Sequence, residues 1–220
     1  TTRARALAQA NGMQLADFAK WKALDMAGDF VRLANAGFVV FAPSYRGEDG
    51  SDGMVEVAKG EVDDVLEAVK LMDQVPQADA ERVALVGASH GALISFLAAA
   101  RNHEIKAVVA AYGVMDIYRW WEYLNRAGKV GGDAVTRRTY GDGPESRPQS
   151  FAMRNAVSVA PQIPCPVLIL QGKKDDIVPW EQAGLIQTAL LKAGKSVQVE
   201  LYPDCLHGFL VYAPYLHDVT

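Results

Sequence analysis

Val83-Ala84-Leu85-Val86-Gly87-Ala88-Ser89-His90-Gly91-Ala92-Leu93 is the stretch that decides how the rest of this chain is read. Four apolar residues run into a Gly-x-Ser-x-Gly turn, and a helical pattern follows from Ala92 to Ala100. A strand, a sharp turn and a helix form the setting in which a serine hydroxyl is held up as a nucleophile. Side chains two residues either side of that serine would collide with the neighbouring strand or helix, which explains Gly87 and Gly91. The turn also carries Oγ to a helix N-terminus, where free N–H groups favour developing negative charge. The plainer reading is a helix N-cap serine between two packing glycines. Ser89 is the candidate nucleophile if partners for it exist elsewhere in the chain.

Outward from this turn, short apolar runs alternate with longer amphipathic ones. Arg82 to Val86 reads as a strand, and so do Phe38 to Ala42, Ala107 to Ala110, Pro166 to Leu170 and Val197 to Tyr202. Val62, Val65, Leu66, Val69 and Met72 recur at helical spacing, as do Leu185, Ile186, Ala189 and Leu190. Leu24, Ala27, Val31 and Ala34 form a third helical set and precede Gly37, a residue suited to the position after a helix. Such alternation predicts an α/β fold, a mostly parallel sheet with helices on both faces. Residues 1–220 read as a single domain. The stretch 113–164 breaks the rhythm and is rich in Arg and aromatics. It is expected to be an insertion over the C-terminal edge of the sheet, where open α/β sheets bind ligands.

A serine needs a base to take its proton, and the base needs a third group to orient it. With this strand–turn–helix, the acid should follow a later strand and the His the last one. Gly172-Lys173-Lys174-Asp175-Asp176 follows the run ending at Leu170, and Asp204-Cys205-Leu206-His207-Gly208 follows the run ending at Tyr202. His207 is the expected base. His103 follows a helix end and His217 is near the end of the sequence, so both are expected at the surface. His90 adjoins the nucleophile and must point elsewhere. Asp175 and Asp176 cannot be separated by spacing alone. Asp204 is too local to orient a His three residues on and reads as a turn former.

Other function classes are disfavoured. A net charge of −4 argues against nucleic acid, and the basic pair Arg137-Arg138 reads as a solvated face. No run of about 18 apolar residues points to a membrane span, and no secretory leader is visible. There is no His-x-x-x-His, no Cys cluster and no Gly-rich phosphate loop, so neither metal nor cofactor is expected. Cys165 precedes one strand and Cys205 follows another, which places them at opposite ends of the sheet. Free thiols and a reducing, cytoplasmic compartment are expected. Arg46, just after a strand, is expected to be partly buried and paired with Asp64 or Glu61.

From Phe30 to Phe209 the chain resembles the catalytic domain of the prolyl oligopeptidase family, within the α/β-hydrolase fold. The likeness rests on Ala36-Gly37-Phe38-Val39-Val40-Phe41-Ala42-Pro43-Ser44-Tyr45-Arg46-Gly47, Gly60-Glu61-Val62-Asp63-Asp64-Val65 and the Gly-x-Ser-x-Gly turn. It continues with Gly172-x-x-Asp175-Asp176-x-Val178-Pro179 and His207-Gly208-Phe209. The resemblance implies a serine hydrolase that cleaves a small peptide or ester through an acyl-enzyme. It makes Ser89, Asp175 and His207 the triad and the His90 N–H an oxyanion donor. It also makes the insertion the lining of the substrate pocket, with Trp120, Trp121 and Tyr140 as candidates beside Tyr45. Relatives carry a strand ending in His-Gly-Gly ahead of the Phe38 strand, and its loop supplies a second oxyanion donor. Here Arg3 to Met13 is Ala-rich and a poor strand. The N-terminal strands are therefore expected to be reduced or missing, with a gap beside the Val83 strand and with Asn11-Gly12-Met13 standing in for the loop. The alternatives are a carboxylesterase resembling dienelactone hydrolases and a non-catalytic binding module. The oligomeric state is not written in these motifs.

Overall fold

In the computed structural model, which describes residues 26–130 and 134–210, the strands lie side by side in chain order. They are β1 (Ala84–Ala88), β2 (Ala107–Ala111), β3 (Val167–Gly172) and β4 (Val197–Tyr202), and every neighbouring pair is parallel. β1 begins and ends two residues later than the apolar run suggests. The ladder to β2 pairs Gly87 with Ala110 and Ala88 with Ala111, which keeps the backbone regular up to the nucleophile.

Among the described residues the α-helices are α1 (Met26–Asn35), α2 (Gly60–Lys70), α3 (His90–Arg101), α4 (Ile117–Arg126), α5 (Ala134–Tyr140), α6 (Pro148–Ala152) and α7 (Glu181–Lys192). Right-handed crossovers between parallel strands in sequence order carry their helices to one side of the sheet. There α2, α3, α7 and the 3-10 segment Ala156–Gln162 pack together over the strands. Ile94, Phe96, Val108, Ile169, Ile186 and Leu190 form the centre of that core. Ile94, Phe96, Ile186 and Leu190 are fully buried. Burying each contributes roughly 1.5–3 kcal/mol. Residues 113–155 carry α4, α5 and α6 over a second small core of Ile117, Trp121, Tyr140 and Phe151. The end of the insertion differs in kind, because Ala156, Ala160 and Ile163 belong to the main core.

The free side of β1 shows the gap expected there, and the departure from expectation lies in the Phe38 run. Phe38 to Ala42 reads as a buried strand, but it is irregular chain with no ladder, and Phe38 is 62% exposed. A strand is buried only when neighbours satisfy its backbone and cover its side chains. Among the described residues nothing pairs with β1 on that side. Leu85 points into the helical layer, while Val86, on the opposite face, is 63% exposed.

Cys165 and Cys205 are buried and form no disulfide, one before β3 and the other after β4. No described helix is long and apolar enough to cross a membrane.

Candidate active site

The ends of β1, β3 and β4 bring three side chains together. Ser89 leaves β1 with φ +53° and begins α3. Its N–H donates to the Ala111 carbonyl at 2.8 Å, so the turn is anchored to β2. A Cβ on Gly87 would collide with the Gly91 carbonyl, which makes glycine obligatory there. Among the described residues, a Cβ at Gly91 would meet only the Tyr45 hydroxyl, at 3.7 Å. The steric demand expected of both glycines therefore falls on Gly87.

His207 follows β4 in a loop fastened to the loop after β3. Lys174 N–H donates to the Cys205 carbonyl at 3.0 Å, and a side chain on Gly172 would strike that same carbonyl. His207 Nε2 lies 3.0 Å from Ser89 Oγ, and Nδ1 lies 2.8 Å from Asp175 Oδ2. An ionised carboxylate only accepts, so Nδ1 carries the proton and donates, leaving Nε2 to accept from the serine hydroxyl. The Tyr112 ring packs edge-on against His207 with centroids 4.8 Å apart. Tyr112 is buried and has φ +40°, an uncommon conformation for an aromatic residue.

The Asp175 side chain is 0% exposed. Oδ1 accepts from the N–H groups of Ile177 at 3.0 Å and Val178 at 2.8 Å. Oδ2 accepts from His207 and from Gln171 Nε2 at 3.1 Å. Asp176 faces outward, 73% exposed, with its carboxylate 3.8 Å from Lys129. Of the two carboxylates that spacing left open, Asp175 lies against His207 and Asp176 lies at the surface. Asp204 is exposed and pairs with Lys174 at 2.6 Å, away from the relay. His103 is exposed, and His217 lies outside the described residues.

His90 occupies the first position of α3, where an N–H has no acceptor within the helix. Its ring lies edge-on to Tyr45 at 6.3 Å. Burial pushes its basicity down, opposed by Glu61 and reinforced by Arg154. Its Nε2 is buried without a hydrogen-bond partner among the described residues. Asn11-Gly12-Met13, the expected second donor loop, lies outside the described residues.

Trp120, Trp121 and Tyr140 do assemble, but with different duties. Trp121 and Tyr140 are buried against Phe151 in the core of the insertion, and burial pushes the Tyr140 phenol up to about 12. Trp120 is partly buried, and its Nε1 donates to the Ile177 carbonyl at 3.0 Å. The insertion is thereby tied to the loop that holds Asp175. Tyr45 stands apart from the three, against the main core and His90.

Glu61, expected only as a partner for Arg46, and Arg154, which the sequence did not single out, together hold the loop before α2. Val57 and Ala58 have φ +57° and +54°, which an L-residue adopts only under constraint. Beneath them Glu61 accepts from the N–H groups of Glu56 at 2.7 Å, Val57 at 3.0 Å and Lys59 at 3.1 Å. Arg154 donates to the carbonyls of Glu56 and Val57, and its guanidinium sits over the Tyr140 ring. Val57 is held in this way against the aromatic cluster. A Glu in the first turn of α2 was the only hint of this in sequence.

Arg46 pairs with Asp64 at 2.7 Å and with Glu56 at 3.0 Å. Asp64 was one of its two expected partners. The other, Glu61, is occupied by backbone. The Arg46 hydrogen bond draws Asp64 below the usual carboxylate range, and Lys59 first and then Arg46 do the same to Glu56. Among the described residues no cluster of His, Cys, Asp and Glu could hold a metal ion.

Comparison with known proteins gives the arrangement a context. The model of the prolyl oligopeptidase family matches residues 25–215. The chain is 28% identical over 183 residues to a Bacillus subtilis protein named "Uncharacterized peptidase YtmA", covering 83% of this chain and 69% of that protein. It is 27% identical over 202 residues to a "Putative carboxymethylenebutenolidase" of Salmonella typhimurium, covering 86% of this chain and 64% of that protein. The Pyrococcus horikoshii acylaminoacyl peptidase superposes with a TM-score of 0.62 at 19% identity, over 72% of this chain and 26% of the solved one. That likeness shows a shared fold. The chain spans about two thirds of these two curated relatives and about a quarter of the solved enzyme.

Proposed function

The chain belongs to the prolyl oligopeptidase family, and from that premise we propose that it hydrolyses short peptides through an acyl-enzyme on Ser89. The observation that carries this reading is the unbroken relay from Ser89 Oγ through His207 to the buried Asp175. In the first step Ser89 Oγ attacks the scissile carbonyl carbon while His207 Nε2 takes its proton. Asp175 keeps the ring in the required tautomer and stabilises the imidazolium that forms. The His90 N–H, at the positive end of α3, meets the oxyanion. His207 then gives its proton to the departing amine, and water repeats the sequence to release the acid. Trp120 forms the exposed part of the pocket wall, while Trp121, Tyr140 and Val57 support it. The two buried cysteines, neither in a disulfide, favour a reducing, cytoplasmic setting.

A second reading is an esterase, favoured by the carboxymethylenebutenolidase relative, which covers as much of the chain as the peptidase does. The relay serves either leaving group. The test is labelling with a fluorophosphonate, followed by turnover of aminoacyl p-nitroanilides beside p-nitrophenyl acetate. Labelling lost in Ser89→Ala, with anilide turnover, supports the peptidase. Ester turnover alone supports the esterase. Absence of both labelling and turnover in the unmutated protein overturns the hydrolase reading and leaves a binding module.

A further inference from the structure

We propose that Gln171 is a positioning residue of this site, which fixes the Asp175 carboxylate so that one lone pair faces His207. The inference rests on the acyl-enzyme reading above. Gln171 is the fifth residue of β3 and is 1% exposed. Burying an amide so completely is costly unless its hydrogen bonds are made. Its Nε2 faces three oxygens: Asp175 Oδ2 at 3.1 Å, the Gly172 carbonyl at 3.2 Å and the Val178 carbonyl at 3.3 Å. All three accept and none donates, so only the NH2 end of the amide can point at them.

The consequence lies at Oδ2. Ile177 and Val178 hold Oδ1 from the backbone, which alone leaves the carboxylate free to pivot about that oxygen. Gln171 supplies the second fixed point and meets Oδ2 beside the His207 Nδ1–H. It does two things there. It keeps Oδ2 in the path of the imidazole, and it draws off part of the charge that His207 would otherwise receive. With that N–H removed, the carboxylate binds the imidazolium more strongly and less directionally. His207 is then a poorer base at a given pH, because more of it is held protonated. The other ionisable groups around this corner are Asp176, Lys173, Lys174 and Asp204 on the loops after β3 and β4, Tyr123 and Lys129 reaching the Asp176 carbonyl from α4 and the turn after it, and Tyr112, Tyr202 and Cys205 nearby. They stay the same in Gln171→Met, so a displaced pH profile of that variant reports the altered carboxylate.

Gln171→Met keeps length and burial but has no donor, while Gln171→His retains a ring N–H of similar reach. Each is compared with the unmutated protein by kcat/KM per fluorophosphonate-labelled serine across pH. Gln171→Met should lose about ten-fold, as expected for one hydrogen bond to a charged group, with its acid limb moved to higher pH. Gln171→His should recover most of the loss on the pH plateau, where its added ring is neutral and still donates. A residue that only ties the turn together would reduce the amount of folded, labelled protein and leave both readouts unchanged, which would overturn the inference. Should the variants not fold, 15N labelling of glutamine in the unmutated protein decides. The Gln171 side-chain N–H resonances must move in step with the acid limb, and stationary resonances refute the proposal. Failure of the unmutated protein to label or turn over is a separate outcome, which removes the hydrolase reading itself and with it any catalytic role for Gln171.

Discussion

Asp175 and Glu61 are the two buried acidic side chains among the described residues, and they are held in different ways. Each receives backbone N–H groups from its own loop. Glu61 takes all three of its donors from within five residues, and the result is a loop forced into an unfavourable backbone conformation. Asp175 takes two donors locally, then reaches Gln171 and, 32 residues away in sequence, His207. One carboxylate is saturated by groups that never titrate. The other leaves a place for a ring that does. Burial alone does not mark an acid for chemistry; what matters is whether one of its partners can change protonation.

The difference is tested first by removing each charge. Asp175→Asn should lower kcat by roughly three to four powers of ten, since the wrong tautomer of His207 is then favoured, while the folded protein persists. Glu61→Gln should do the reverse. It presents an NH2 to backbone donors and should cost about 2–4 kcal/mol in urea unfolding, with kcat per labelled serine changed less than about ten-fold. Equal effects of the two variants on kcat would erase the distinction.

Arg154→Met sharpens the same contrast. It strips the partly buried carbonyls of Glu56, Val57 and Ser150 of this donor, at a cost of about 2–3 kcal/mol. Combined with Glu61→Gln the loss should fall short of the sum, because both residues hold one loop. Strict additivity in a double-mutant cycle would mean the clamp is not a unit.

Asp64 and Glu56 offer a milder case, since both are partly exposed. Their folded-state values are depressed, so they stabilise the fold above the unfolded carboxyl range, near pH 4, and lose that contribution as pH falls through the folded values. Arg46→Met should therefore cost about 1 kcal/mol near neutrality, a gap that closes below about pH 4. A gap independent of pH would assign the loss to packing. Asp176→Asn should be the smallest change, within about three-fold in kcat, as expected for an exposed charge 3.8 Å from Lys129.

Ser89 and His207 were legible because their signals are local: a glycine pair around a serine, and a His in the loop after the last strand. Asp175 and Asp176 differ by one residue, and no spacing rule tells inside from outside. The family resemblance favoured Asp175 before burial did. Gln171 was hidden in plain view, a polar residue closing an apolar strand, and its meaning depends on a turn that folds back over it. Arg154 left no trace, since its acceptors at residues 56 and 57 are almost a hundred positions away. Phe38 to Ala42 was misread for a related reason. An apolar run records what a segment is suited to touch, and the described chain gives it nothing to touch.

The φ of +53° at Ser89 has a consequence for directed evolution. Glycine at that position would relax the turn and remove a conformational penalty of about 1–3 kcal/mol. Ser89→Gly should thus melt higher than its parent while hydrolysing nothing. A library selected for survival on heating, with no demand for turnover, would drift toward glycine at this codon. The serine persists only under a selection that asks for product.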